Sequence, residues 1–143
     1  MLLFERLRNV STSRGVSWYT QMSHRDYRFL VAFEVKCRTL VGEQSHLGKA
    51  MVEYLIQHTN GLCVAPVFVY AATENYDTDF SGEDTFRLVF EDLEDAMMFK
   101  LKYADEIETI GVLFRHGQES AYREASTWDE IKSFHAMREE LTT

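Results

Sequence analysis

The sequence predicts one α+β domain in which strands and helices follow the order β-α-β-β-α-β, closed by a further helix near the C-terminus. Two patterns predict it. Apolar residues alternate with period two at 29–35 and 86–90, as on half-buried strands. Between and after these runs, apolar residues recur three and four apart at 47–58 and 93–103, as on amphipathic helices. Size and composition agree: 143 residues, 45% hydrophobic and 27% charged, with a single proline, suit one domain with its own core rather than modules on linkers.

Each element has its own reason. Tyr27 to Lys36 reads Y-R-F-L-V-A-F-E-V-K. Phe29, Val31, Phe33 and Val35 share one face, which predicts the first strand. Ser45 offers a helix N-cap. Leu47, Ala50, Met51, Tyr54, Leu55 and His58 then line one helical face, and Asn60-Gly61 supplies the stop. Leu62 to Ala72 is apolar and rich in β-formers, so a second strand is expected there. Pro66 cannot donate a ladder hydrogen bond and places that strand at an edge or at a bulge. Thr85 to Glu91 is the third strand, with Phe86, Leu88 and Phe90 on one face. Asp92 caps a second helix from about Leu93 to Tyr103 through Ala96, Phe99 and Tyr103. Ile107 to Arg115 is the fourth strand. Thr127-x-x-Glu130 forms a capping box that opens the last helix, with Ile131, Phe134 and Leu141 on its apolar stripe. Before the first strand, Leu2 to Val10 reads as a short helix and Val16 to Met22 as a strand or extended arm. The expected organisation is an N-terminal arm, residues 1–26, packed on a domain of residues 27–143.

This order is the split βαβ, or ferredoxin-like, arrangement, with strands in the order 4-1-3-2 in an antiparallel sheet. Both helices then cover one face. The other face presents Arg28, Leu30, Ala32, Glu34 and Lys36 from the first strand and Thr85, Arg87 and Val89 from the third.

Charge is unevenly spread. Residues 1–42 hold seven basic side chains (Arg6, Arg8, Arg14, Arg25, Arg28, Lys36, Arg38) against three acidic ones (Glu5, Asp26, Glu34). That net +4 leaves −12 for the rest of a chain whose total is −8. An acidic body argues against general nucleic-acid binding. The basic arm keeps one such reading open, with Arg6, Arg8, Arg14, Arg25 and Arg28 on phosphates. Internal neutralisation, with the arm lying across the acidic body, accounts for the same asymmetry.

Phe86-Arg87-Leu88-Val89-Phe90-Glu91-Asp92-Leu93-Glu94-Asp95-Ala96 resembles the third strand and second helix of RNA-recognition-motif domains. The resemblance implies the ferredoxin-like order and a sheet face on which bases stack. The stacking aromatics are missing, however, since Thr85, Arg87, Val89, Leu30 and Ala32 hold the matching positions. A base-reading sheet is therefore not expected. The longer run from Phe86 to Leu101 also resembles stretches of small phage proteins, which implies an accessory or assembly role.

Chemical motifs are sparse. Asp77, Asp79 and Ser81 match the opening of a calcium loop, but the twelfth position is Leu88 where a bidentate acid belongs. The expected reading is therefore an acidic hairpin tip closing the second and third strands, and no metal site is expected. His24, His46, His58, His116 and His135 show no ligand spacing. Cys37 and Cys63 sit in apolar runs and are expected to be reduced and buried. No glycine-rich phosphate loop or nucleophile elbow occurs, and no residue pattern predicts a cofactor. The N-terminus breaks into charge at Glu5-Arg6, too early for a signal peptide, and no apolar run approaches membrane-spanning length. The expected compartment is the cytoplasm, of a host cell included, or a virion.

The expected function is accordingly a non-enzymatic binding or regulatory protein acting through protein–protein contacts, with another protein or a second copy of itself as partner. Leu30, Ala32, Arg87, Val89, Trp18 and Tyr19 are the expected interface residues. A small enzyme with an unrecognised site is the remaining alternative.

Overall fold

The computed structural model describes residues 1–5, 7–12, 15–20, 30–73, 84–116 and 119–142. They form a mixed α/β fold: β1 (Leu2–Glu5), β2 (Leu7–Thr12), β3 (Gly15–Thr20), β4 (Leu30–Lys36), α1 (Ser45–His58), β5 (Cys63–Pro66), α2 (Val67–Thr73), β6 (Thr85–Phe90), α3 (Leu93–Tyr103), β7 (Ile107–His116), β8 (Glu119–Ala125) and α4 (Trp128–Thr142). One sheet runs β1-β5-β6-β4-β7-β8, and β3, paired with β2, joins it along β6.

The four strands expected from the alternation are neighbours in this sheet, in the order β5-β6-β4-β7. All contacts among these four are antiparallel. The sheet as a whole is mixed, because β1 lies parallel to β5 and β3 parallel to β6. Five elements depart from expectation. The Leu2–Val10 segment is two strands, not a helix: Leu2–Glu5 extends along β5 and Leu7–Thr12 pairs with β3. The expected strand over 62–72 divides at Pro66 into β5 and α2. Proline suits the entry to a helix, where its missing N–H costs nothing. Beyond it, Val69 and Ala72 are buried while Val67 and Tyr70 are exposed, a helical period hidden among β-branched residues. Nor is β5 an edge strand, since β1 and β6 flank it. Ser45 is the first residue of α1 rather than its cap: the 3-10 turn Gly42–Gln44 runs straight in, and the Ser45 N–H donates to the Gly42 carbonyl. Finally, β8 lies in a polar stretch that carried no strand expectation.

The apolar faces match the register read from the sequence. Val31, Phe33, Val35, Phe86, Leu88 and Phe90 point to the helical side and are 0–1% exposed. There Met51 and Leu55 of α1, Ala96 and Phe99 of α3 and Ile131 of α4 close the main core. Its centre is aromatic: Phe90 sits 5.7 Å from Phe33 and 5.3 Å from Phe99, ring centre to ring centre. α2 packs beside α1, Tyr54 of α1 meets Tyr103 of α3, and Lys100 of α3 lies over Trp128 of α4. The helices thus stand in the layer order α2-α1-α3-α4.

Local hydrogen bonds explain the boundaries of α3 and α4. Asp92 Oδ1 accepts from the Glu94 and Asp95 amides, as an N-cap does. Asp95 Oδ2 accepts from the amides of Asn60 and Gly61, both at 2.9 Å. It thereby ties the turn after α1 to the first turn of α3. At α4, the Glu130 amide donates to Thr127 Oγ1, but the Glu130 carboxylate reaches the Ser126 amide, one residue earlier than a capping box requires.

Candidate functional site

The sheet face away from the main core was the expected interface, and it has two parts. Leu30, Ala32, Val64 and Val89 are 0–1% exposed, with Leu113 beside them, and Leu62 and Tyr122 pack against the cluster. These side chains are buried in the single chain. Leu30, Ala32 and Val89 therefore present no surface to a partner in this conformation.

The second part is polar. β4, β6 and β7 place Glu34, Arg87 and Thr109 directly opposite one another in register. Arg87 Nη2 donates to Glu34 Oε1 at 3.3 Å. Thr109 Oγ1 donates to Glu34 Oε2 at 3.0 Å and lies 3.3 Å from the Tyr122 hydroxyl. The Tyr122 ring covers this group, with the Arg87 guanidinium 4.1 Å from its centre. It can lie there only because residue 111 has no side chain: a Cβ at Gly111 would fall 2.5 Å from three atoms of the ring and hydroxyl. Burial pushes the Tyr122 phenol above its usual value, with the Thr109 hydrogen bond opposing. Both carboxylate oxygens of Glu34 are engaged, and the group ties three strands together.

The remaining expected residues place as follows. Trp18 and Tyr19 lie on β3, where Trp18 pairs with Phe86 and with Asn9, and Tyr19 with Arg8. Arg6, Arg14, Arg25 and Arg28 fall outside the described residues, as do Asp77, Asp79 and Ser81 of the calcium-like segment. Arg8 lies on β2. Cys37 and Cys63 are free and buried. Burial pushes both thiols well above their ordinary range, and Asp84 adds to the effect on Cys37. Neither is poised as a nucleophile. His58 does not continue the buried stripe of α1. It is exposed, in the last turn of the helix, and stacks on Tyr54 at 5.0 Å.

Comparison with protein-family models, with curated proteins and with solved structures found no match. Among the described residues, no group of three or more His, Cys, Asp or Glu could hold a metal ion. No helix there is long and apolar enough to cross a membrane. A shallow cleft of about 290 Å³ opens beside Lys100, Glu108, Glu124 and Ser126. It has no histidine or cysteine in its lining.

The feature that the sequence patterns left unassigned is a set of exposed apolar side chains on the helices. Ile56 on α1, Val67 and Tyr70 on α2, and Met98 and Leu101 on α3 are all at least 50% exposed, Leu101 most of all at 69%. The signal was present in α3: Ala96, Phe99 and Tyr103 already account for its buried stripe, which leaves Met98 and Leu101 on the opposite side.

Proposed function

We propose that this is a non-enzymatic binding protein that works through protein–protein contacts made by the outer side of its helical layer, in an accessory or assembly role. The observation that carries this reading is the set of five large apolar side chains exposed on α1, α2 and α3. Single exposed apolar residues are ordinary, but Met98 and Leu101, one turn apart on one helix, form a shared surface. The buried thiols and the fully engaged Glu34 add weight, since neither offers a reacting group.

The same reading takes β4-α1-β5-β6-α3-β7 as a ferredoxin-like core to which β1, β2, β3, β8 and α4 have been added. Its support is the strand order β5-β6-β4-β7 and the packing of α1 and α3 on one face. In such a core one sheet face is left for partners. Here Leu30, Ala32 and Val89 are already buried, which moves the available apolar surface to the helices.

Affinity capture from the native cell tests the reading. The wild-type chain should retain a partner protein or a second copy that the Met98→Glu, Leu101→Glu double variant loses, with both chains equally folded by circular dichroism. Equal retention by both chains would place binding elsewhere and refute the proposal.

A further inference from the structure

From the pattern of charge along α3, we infer that the occupant of this surface is a second copy of the same chain, docked antiparallel, α3 against α3, about a two-fold axis near Met98. The inference rests on the protein-binding reading above and names its partner.

The exposed side of α3 carries Glu94, Met98, Leu101 and Lys102, all exposed. Glu94, Met98 and Lys102 follow steps of four along one stripe, and Leu101, three residues past Met98, flanks it. The order along the axis is acid, apolar, apolar, base. Two copies of such a stripe in parallel would set Glu94 against Glu94 and Lys102 against Lys102. Turned antiparallel about Met98, they set Glu94 of each copy against Lys102 of the other, because both residues lie four positions from the centre. Met98 then packs on Met98 and the two Leu101 side chains flank that contact. A two-fold interface must be self-complementary, and this stripe meets the requirement in one orientation only.

The neighbours of the stripe are compatible with docking. Lys102 stands on the flank towards α1, its ammonium 5.1 Å from the Tyr54 ring. The ammonium also lies 6.0 Å from the Tyr103 ring, and the residue is exposed. Asp95, the next acid along α3, is turned inward onto Asn60 and Gly61 and brings no competing charge to the seam. From Glu94 to Lys102 the seam spans about 12 Å of helix per copy. That is below the size of a standard specific interface, so the dimer is expected to be weak.

Sedimentation equilibrium on the full chain tests the inference, with circular dichroism confirming that every variant is folded. The wild type should dimerise, and Leu101→Glu should weaken the dimer by at least about tenfold. Glu94→Lys alone and Lys102→Glu alone should each weaken it, by putting like charges together. The combined Glu94→Lys, Lys102→Glu chain should recover dimerisation, because the exchange restores both cross-pairs. Recovery separates a paired contact from general surface effects, including any loss of the Lys102–Tyr54 contact. A dimer that survives Leu101→Glu, or a double exchange that fails to recover, overturns the antiparallel α3 seam. A wild type that stays monomeric up to several hundred micromolar overturns the second copy as occupant. If such a monomer still captures a different protein through Met98 and Leu101, the protein-binding reading stands without the dimer; if it captures nothing, both fall.

Discussion

Glycine in the interior of a strand is normally a weakness, and replacing it with alanine should gain about 0.5–1 kcal/mol. Gly111→Ala in β7 should do the opposite. The new methyl would sit 2.5 Å from Cε2, Cζ and Oη of Tyr122. At that distance the ring must shift from its place across Gly111. Overpacking of this kind costs about 1–3 kcal/mol. Displacing the ring also gives up its stacking with Arg87, about 0.5–1 kcal/mol, and the contact between its hydroxyl and Thr109, about 0.5–1.5 kcal/mol. After subtracting the backbone gain, the net loss should be about 1–5 kcal/mol, a sizeable share of a stability expected at about 5–15 kcal/mol. Urea denaturation followed by circular dichroism measures it, given an unchanged dependence on denaturant. The decisive comparison is a double-mutant cycle. In a Tyr122→Ala background, Gly111→Ala should cost nothing or stabilise slightly. An equal loss in both backgrounds would show that Tyr122 does not lie across Gly111, and the clamp over Glu34 and Arg87 would lose its cover.

Three further outcomes test other parts of the account. Phe90→Ala removes a fully buried ring packed on Phe33 and Phe99 and should cost about 3–5 kcal/mol in the same assay; a loss below about 1 kcal/mol would mean that β6 is registered one residue out. Asp95→Ala strands the amides of Asn60 and Gly61 and should cost about 2–3 kcal/mol, with faster amide exchange at both residues; unchanged exchange there would remove the tie between α1 and α3. Both cysteine thiols should resist a thiol-reactive dye in the native protein and react fully in denaturant. Their folded-state values are raised by burial, so the associated stability is complete below the ordinary thiol range and is lost as pH rises through the folded values. Alkali should therefore expose the thiols by unfolding the chain, and rapid labelling of a native protein near neutral pH would contradict the burial.

Much of the scaffold was legible because burial dictates pattern. Val31, Phe33 and Val35 alternate because β4 is covered on the helical side, and Phe86, Leu88 and Phe90 repeat the pattern on β6. Asp92 announced the start of α3 through cap chemistry alone. Three features stayed hidden for physical reasons. Val67, Phe68 and Val69 favour strands by propensity, yet Pro66 and the packing of Val69 and Ala72 make them a helix. In β8, Tyr122 packs on one face of the sheet and Ala125 on the other, among charged residues, so no period-two run of apolar residues shows in the sequence. The Gly111–Tyr122 contact joins two strands through a missing side chain, which no linear pattern records. The candidate surface lay between these cases. Alternation puts Leu30, Ala32 and Val89 on one face, as in the structure, but which face of the fold stays open depends on how the whole chain closes. Met98 and Leu101 could have been noticed as the apolar residues that the buried stripe of α3 does not use.

The most direct test of the protein-binding surface is residue-resolved. Two-dimensional NMR of the full chain, recorded over a dilution series and in the presence of any captured partner, reports which amides change environment on association. Shifts should be concentrated in α3 from Glu94 to Lys102, with little change at Glu34, Arg87 and Thr109. Shifts centred instead on β1 or β8, with α3 silent, would contradict it.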